Sequence, residues 1–378
     1  MKKFIRGFIY VVLLIVVLFS AYAFVSGRTY LFEAVWYNFV DIDDYKKFTN
    51  NTVVTGVPQP WSTANGYNKT PLNPGLKKML EDLETIALLA IKNDSIVYEQ
   101  YWDGYGDSSL SGSFSIAKSI TGLLIGAAIK EGKIQSVEEP VGNYLDEFKQ
   151  GDKAKVRIVD LLTMSSGSNW DEAYANPFSV TTELYYGHDA YKTAVGVSVI
   201  HPPGTLQVYK SGDTQLLGLI IEKATGKSLS AYAAEKLWQP LGAEHAALWS
   251  TDHIGGSEKA YCCFNSNARD FARLGQLMLD SGRWKGNEII PIDYYLKSIH
   301  PCMIPDETGE PTKYYGYHWW IIPSRPDIFY ARGILGQYII VIPSKKTVVV
   351  RLGKKRADQR IDNAPAEVDA LIKWGSQL

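Results

Sequence analysis

Segments with the alternating pattern of β-strands lie towards both ends of the chain, and helical patterns fill the long stretch between them. Two apolar runs between residues 86 and 101 flank a short polar turn, which predicts a β-hairpin. Strand patterns return at 314–322, 334–342 and 347–352. If the hairpin pairs with these later strands, one antiparallel sheet closes around a large helical insert. The sequence therefore predicts an α+β fold.

Helices are expected in the middle of the chain and at its end. Apolar residues recur at helical spacing over 115–129, 214–225 and 268–279, and a closing amphipathic helix is predicted over 366–374. A chain of 378 residues with 46% hydrophobic content is long enough to bury a full core in one large domain or two.

An uncharged apolar run over residues 8–25 precedes all of these elements. It just reaches the length that a bilayer-spanning helix needs, and Lys2, Lys3 and Arg6 before it favour a cytoplasmic N-terminus. The run is interpreted as a retained transmembrane anchor or as a signal peptide cleaved after the Ala-Tyr-Ala of 21–23. The anchor would hold the rest of the protein outside the cytoplasm, whereas cleavage would release it as a secreted protein.

The predicted organisation has four parts. Residues 1–7 form a cytoplasmic tip, 8–25 the anchor or signal, 26–70 a tether rich in turn-forming residues, and 71–378 the main folded domain. The membrane is therefore an expected partner through the apolar run.

Charge and cysteine content exclude several classes of protein. With 39 Lys+Arg against 40 Asp+Glu, the chain is a poor candidate for binding nucleic acid. Cys262 and Cys263 are adjacent, and neighbouring cysteines rarely bridge each other. A bridge from Cys302 to one of them is possible, but three buried free thiols are the favoured interpretation.

The usual metal, nucleotide and hydrolase-elbow motifs are missing from the sequence. It contains no Gly-x-Ser-x-Gly, no His-Glu-x-x-His and no phosphate-binding glycine loop, so neither a metal nor a cofactor is predicted.

The motif that remains is Ser115-Ile-Ala-Lys118 at the start of the strongest predicted helix. Side chains three residues apart on a helix lie on the same face, so the Lys118 amine can reach the Ser115 hydroxyl. Burial and the positive helix end would push Lys118 towards the neutral form that a base requires.

Two further segments could complete a site around this serine. Tyr209 precedes a predicted helix, where its phenol could shuttle a proton, with a pKa lowered by a nearby lysine. The glycine-rich segment 333–337 could bring a backbone N–H beside that of Ser115 to form an oxyanion hole. Taken alone, the Ser115 motif favours a helix cap with a solvated lysine, Tyr209 a half-buried aromatic on a loop, and 333–337 a β-bulge or edge turn.

In this order, the three elements resemble the serine β-lactamase and penicillin-binding-protein superfamily, and most of all its class C-related branch of 6-aminohexanoate-dimer hydrolase and related esterases. The resemblance covers roughly residues 80–375. The matching stretches are 115–124, 160–167, 170–174, 209–218, 268–275 and 336–337.

The resemblance implies a role for each matching residue. Ser115 would be the acylated nucleophile, Lys118 its base and Tyr209 the proton shuttle, and the N–H groups of Ser115 and Gln337 would hold the oxyanion. Further substrate-binding positions implied are Tyr174, Ser211, Asp213, Tyr261, Leu335 and Gly336.

The sequence also departs from its relatives. β-Lactamases have Lys-Thr-Gly where 334–336 reads Ile-Leu-Gly, which argues against antibiotic or peptidoglycan substrates. Leu335 stands where nylon-oligomer hydrolases tend to have histidine, and Asp213 replaces a usual asparagine. The pocket is therefore expected to be more apolar than in either group and to take weakly charged substrates.

The leading hypothesis is a serine hydrolase that cleaves small esters or amides without a cofactor. The alternatives left open are a 6-aminohexanoate-oligomer amide hydrolase, a penicillin-binding protein or β-lactamase, and a non-catalytic ligand-binding domain tethered to a membrane.

Overall fold

The fold is organised around a seven-stranded sheet built from both ends of the chain. The computed structural model describes residues 1–378, apart from the side chain of Lys2. The helices are α1 (Lys2–Val25), α2 (Tyr30–Tyr37), α3 (Pro74–Asp82), α4 (Ile116–Lys130), α5 (Ile158–Leu162), α6 (Val180–Tyr186), α7 (Ala190–Val195), α8 (Ser211–Thr225), α9 (Leu229–Ala233), α10 (Ala268–Leu279), α11 (Ile292–Ser298) and α12 (Ala366–Gly375). The strands are β1 (Asn50–Val53), β2 (Ser62–Thr63), β3 (Thr85–Lys92), β4 (Ser95–Tyr101), β5 (Ser111–Gly112), β6 (Ala247–Ser250), β7 (Phe264–Ser266), β8 (Arg283–Trp284), β9 (Asn287–Glu288), β10 (Trp320–Ile322), β11 (Arg325–Gly333), β12 (Gln337–Ile342), β13 (Thr347–Gly353), β14 (Arg360–Ile361) and β15 (Ala364–Pro365).

The strand order of the main sheet is β10-β11-β12-β13-β3-β4-β2. The pairing of β13 with β3, from Thr347 opposite Lys92 to Leu352 opposite Ala87, joins the N-terminal hairpin to the C-terminal strands. All pairs are antiparallel except that of the short β2 with β4. The predicted α+β architecture with a helical insert is confirmed.

The strand predictions at the C-terminal end were less accurate than those at the hairpin. Of the predicted strand 314–322, only the last three residues form β10, and β11 was not predicted. The β11 sequence opens with Arg-Pro-Asp, a turn-like composition that hides the buried run following it. Before β12, residues 334–336 form a tight helical turn with Leu335 at φ 60°.

Both faces of the central strand β3 are buried. Leu89 and Ile91 lie in the core on one side, whereas Leu88 and Ala90 lie in a second cluster on the other. Helix α10 packs on the first face and α12 on the second. This explains why β3 reads as a continuous apolar run, the pattern of a strand covered on both faces.

Two helices of the insert bring their N-terminal ends together below the sheet edge. Helix α4 is buried from Ile116 to Ala128, and it packs against α8. A second sheet, in the order β1-β6-β7-β5, lies beside them, and its strand β5 leads directly into the start of α4. Ser115 and Ser211, at the beginnings of these helices, are thereby placed next to each other.

The segment that follows the apolar helix packs against the rest of the protein. Helix α1 is long and apolar enough to cross a membrane by length and composition, a test that signal sequences also pass. In the stretch 26–70, Leu31, Ile42 and Val53 are buried, and β1 pairs with β6. The stretch expected to be a tether therefore contributes to the core.

The prediction for the cysteines was wrong. Cys262 and Cys263 form a disulfide with each other, and Cys302 is a free, partly buried thiol. Cys263 has a φ of 67°, a left-handed conformation. Avoidance of bridges between neighbours is a statistical tendency that local backbone conformation overrides here.

Helix α10 approaches the sheet closely at a single glycine. A Cβ at Gly275 would clash with Val348 and lie 2.8 Å from Ile339 Cγ2. We expect Gly275→Ala to lower the free energy of unfolding of the full chain in detergent by about 1–3 kcal/mol, because overpacking outweighs the better helix propensity of alanine. Chemical denaturation measures this difference. Gly106→Ala, at a site with open space around it, is the control and should be near neutral. Equal stability of the two variants would contradict the packing described.

Candidate active site

Ser115 lies immediately before the first turn of α4. The preceding Phe114 has a φ of 45°, an uncommon conformation for a bulky residue. Such backbone strain persists only where the surroundings enforce it and is frequent at functional sites. A Cβ at Gly333 would clash with the Ser113 carbonyl oxygen, so the end of β11 lies directly against this turn.

The Lys118 side chain is the centre of the site. Its Nζ lies 3.1 Å from Ser115 Oγ, 3.1 Å from Ser211 Oγ and 3.0 Å from the carbonyl oxygen of Tyr261. The side chain is only 1% exposed, and burial lowers the pKa of Lys118 to about 8, while the Glu172 carboxylate opposes this shift. The amine is thus much easier to deprotonate than a lysine in water.

Tyr209 lies beside this pair at the start of α8. Its ring is 5.0 Å from Lys118 Nζ and packs against Tyr315 and Trp320. The expected lowering of its pKa was wrong. Burial raises the pKa of Tyr209, and this outweighs the opposing effect of the Ser115 hydroxyl. The phenol is therefore protonated at neutral pH.

Glu172 is a site residue that sequence reasoning missed. Its carboxylate accepts hydrogen bonds from the Ser211 N–H at 2.7 Å, the Ser211 hydroxyl at 2.6 Å, the Trp170 indole at 2.9 Å and the Tyr174 phenol at 2.6 Å. A signal was present, because Glu172 is the only ionisable residue besides Asp171 between the two aromatic residues of the stretch 170–174. The carboxylate fixes Ser211 and brings negative charge near Lys118.

The other predicted substrate-binding residues differ in their exposure and in their distance from Lys118. The side chain of Tyr174 is 54% exposed, Tyr261 is buried and Ser211 contacts Lys118. Asp213 is 1% exposed and accepts a hydrogen bond from Ser166 Oγ at 2.7 Å, and burial raises its pKa to about 7. Asp213 therefore supports the loop around Ser166 from inside the protein.

Only the first residues of the segment 333–337 lie at the site. Gly333 and Ile334 line the space in front of Ser115. Gln337 is fully buried with its amide bonded to the Gly353 carbonyl oxygen at 2.6 Å, and the Gly336 carbonyl oxygen accepts from Arg351. Among the described residues, Leu335, Gly336 and Gln337 are absent from the walls of the two cavities at Ser115.

Two cavities meet at Ser115. The first, here called the polar cavity, has a volume of about 460 Å³ and is lined by Tyr209, Glu172 and Arg332 among others. The second, here called the apolar cavity, has a volume of about 740 Å³ and is lined mainly by apolar and aromatic side chains. Ser115, Tyr174 and Ile334 belong to both walls, so the nucleophile candidate lies where the cavities join.

The polar cavity is more charged than the apolar pocket expected from the sequence. Three arginines, Arg332, Arg356 and Arg360, line it together with Asp306 and Glu307. The Arg332 guanidinium stacks on Trp320 at 3.4 Å from the ring centroid, and its Nη1 is buried without a partner among the described residues. The expectation did not include these arginines, because it was based on residues 334–336 and Tyr261, whereas the arginines lie at the end of β11 and after β13.

Comparison with known proteins identifies the family of this chain. The model of the Beta-lactamase family matches residues 76–372. The 6-aminohexanoate-dimer hydrolase of Paenarthrobacter ureafaciens is 26% identical over 298 residues, which cover 74% of this chain and 75% of that protein.

Solved structures share the fold. A Bacillus anthracis protein provisionally described as a 6-aminohexanoate-dimer hydrolase has a TM-score of 0.68 at 24% identity and covers 87% of this chain and 89% of its own. A family VIII carboxylesterase has a TM-score of 0.65 at 17% identity and covers 84% of this chain and 99% of its own. At such identities these structures show a common fold, and the family match over residues 76–372 places the protein in the Beta-lactamase family of hydrolases.

Proposed function

We propose that the protein is a serine hydrolase that cleaves esters, or amides, through an acyl-enzyme on Ser115. The observation that carries this proposal is the buried Lys118 amine, 3.1 Å from the Ser115 hydroxyl and with its pKa lowered to about 8. A base must be close to the proton that it takes and must be populated in its neutral form. Lys118 meets both requirements.

The hydrogen bonds around Lys118 orient its lone pair towards Ser115. A neutral amine has two N–H donors and one lone pair. The Tyr261 carbonyl oxygen can only accept, and the Ser211 hydroxyl already donates to Glu172, so Ser211 also accepts from the amine. Both N–H groups are thus engaged, and the lone pair is left to accept the proton of the Ser115 hydroxyl.

Backbone N–H groups of Ser115 and Ile334 are the proposed oxyanion donors. Neither donates to a protein acceptor among the described residues, and both residues line the two cavities. Gln337, the donor expected from the sequence, is buried at the start of β12 beyond the turn. Two such donors would stabilise the negative oxygen of the tetrahedral intermediate.

Tyr209 is the proposed proton donor to the leaving group. It lines only the polar cavity, and its raised pKa keeps its proton in place until the leaving alkoxide or amine can take it. In the balanced reaction, Ser115 Oγ bonds to the acyl carbon, the bond from that carbon to the leaving group breaks, and the leaving group departs with one proton. Water then releases the acid and restores the serine.

Arg332, Arg356 and Arg360 favour a polar or anionic leaving group. They lie on the Tyr209 side of Ser115, where the departing alcohol would be bound. A guanidinium with a free buried N–H is well suited to carboxylate or phosphate oxygens.

The proposed location is the outer side of a membrane, with residues 8–25 as anchor and 71–378 as the catalytic domain. The length and apolar character of the run 8–25 and the cations before it support this orientation. The Cys262–Cys263 disulfide also favours an oxidising compartment.

Hydrolysis of a 6-aminohexanoate-type amide is the second candidate. It is favoured by the 26% identity to 6-aminohexanoate-dimer hydrolase over three quarters of that protein. An amine must be protonated as it leaves, and the protonated Tyr209 could supply that proton. Release of free amine from the 6-aminohexanoate dimer would separate this activity from that of an esterase.

The nucleophile is tested with a fluorophosphonate probe. We expect one adduct, on Ser115, and a fall of at least about 10³-fold in the hydrolysis of p-nitrophenyl acetate by Ser115→Ala. Peptide mass mapping and an absorbance assay measure the two effects. Ser108→Ala, at an exposed position, is the control. An adduct elsewhere, or a Ser115→Ala variant as active as the natural protein, would disprove the assignment.

The role of Lys118 is tested by the pH profile of kcat/KM. Lys118 is protonated and inactive below its pKa and neutral above it, so activity should rise with pH around a midpoint near 8. Because Glu172 raises the pKa of Lys118, Glu172→Gln should move the midpoint to lower pH by on the order of one unit, whatever its effect on kcat.

The control for this experiment is Asp171→Asn, which removes the neighbouring exposed carboxylate. It should leave the midpoint in place. A midpoint that stays constant or rises in Glu172→Gln would show that Lys118 is not the group that titrates.

A further inference from the structure

The apolar cavity provides a large binding space on one side of Ser115. Phe114, Tyr261 and Ile334 form its inner wall beside the nucleophile, and Ala34, Val35 and Phe39 form its outer wall. At about 740 Å³ it lies within the range of ligand pockets, which is about 300–1,000 Å³. Its inner end reaches the acylation site, so its occupant would be part of the substrate.

The proposed chemistry assigns this cavity to the acyl half of the substrate. Tyr209 and the three arginines line the polar cavity, where the leaving group departs. The apolar cavity shares Ser115, Tyr174 and Ile334 with the polar cavity. Among the described residues that line it there is no arginine. The acyl group that remains on Ser115 would therefore extend into apolar surroundings.

The outer wall of the apolar cavity lies next to the apolar helix α1. Only residues 26–29 separate the end of α1 from the start of α2, which carries Ala34 and Val35. Phe24 packs on Phe32 at 5.6 Å between ring centroids, so α2 is held at the end of α1. If α1 spans a bilayer, four residues leave α2 at its surface.

The loop on the other side of the cavity also contacts the end of α1. Tyr174, Ala175 and Pro177 contribute to the cavity wall, and the neighbouring Phe178 meets Tyr22 at 6.1 Å between ring centroids. The side chains of Val35, Trp36 and Phe39 are 60%, 83% and 77% exposed. Exposed apolar and aromatic side chains next to the end of an apolar helix are typical of a surface that contacts lipid.

We infer that the apolar cavity binds the acyl chain of a lipid ester that enters from the membrane, and that the protein cleaves this ester at Ser115. This inference rests on the proposed serine hydrolase activity and names its substrate class. The acyl chain would be transferred to Ser115 Oγ while the polar alcohol leaves through the arginine-lined cavity with one proton. Water then releases a fatty acid.

The inference is tested with the full chain in vesicles of phosphatidylglycerol. The probes are p-nitrophenyl acetate, p-nitrophenyl palmitate in the same vesicles, and the phosphatidylglycerol itself, with fatty acid release measured by mass spectrometry. We expect kcat/KM for palmitate to exceed that for acetate by at least tenfold, because burial of each methylene contributes about 0.8 kcal/mol. Fatty acid should also be released from the phospholipid.

Three variants separate the cavity from the rest of the surface. Ala34→Phe fills the cavity away from Ser115, and Val35→Glu places a charge at its exposed outer wall, where folding should be unaffected. Both should lower the ratio of palmitate to acetate hydrolysis at least tenfold, whatever their effect on acetate hydrolysis itself. Trp36→Glu introduces the same charge at the next position of α2, outside the described cavity wall, and should retain the preference for palmitate.

The other possible results of these assays contradict either the acyl-chain site, entry of the substrate from the membrane, or the hydrolase activity. Acetate hydrolysis without any preference for palmitate, or a preference that survives both cavity variants, would disprove the acyl-chain site while leaving the hydrolase intact. Palmitate cleavage in detergent micelles but not in vesicles would show that the acyl ester comes from solution and contradict entry from the membrane. Failure of all three probes, with no fluorophosphonate adduct on Ser115, would instead disprove the proposed function.

Discussion

The burial of a single amine determines how this site can work. The Lys118 side chain is almost completely shielded from water, so its charged form is disfavoured and its pKa falls to about 8. Two acceptors, the Ser211 hydroxyl and the Tyr261 carbonyl oxygen, engage its N–H groups and leave Ser115 as the third neighbour. Burial also raises the pKa of Tyr209, so the same desolvated environment makes the amine easier to deprotonate and keeps the phenol protonated, as the proposed base and acid require.

The fold brings these groups together from distant parts of the chain. Ser115 lies at the N-cap of α4, and the first turns of α4 and α8 carry Lys118 and Ser211. The loop before α6 supplies Glu172, and the end of β11 supplies Gly333. The sheet that fixes β11 is held together by the pairing of β13 with β3, which joins the two ends of the sequence. The geometry of the candidate site therefore depends on contacts between residues more than 200 positions apart.

The sequence was informative where chemistry is local and misleading where it depends on tertiary placement. The hairpin, α10 and the juxtaposition of Ser115 with Lys118 follow from short-range spacing, and the structure contains them. The turn at 334–336 changes which residue of its segment faces Ser115, and spacing alone does not reveal that. The contribution of Glu172 and the arginines arises from loops and strand ends folding over the site, and periodicity carries no signal for these.

The direct measurement is a titration of the Lys118 amine itself. Lysine labelled with ¹³C at Cε, in the full chain in detergent, reports the protonation of each amine by NMR, and Lys118→Met assigns the signal. The buried environment predicts a Lys118 signal that titrates with a pKa near 8. A signal that titrates with the exposed lysines, near the ordinary value of about 10.4, would contradict the role of Lys118 as the base.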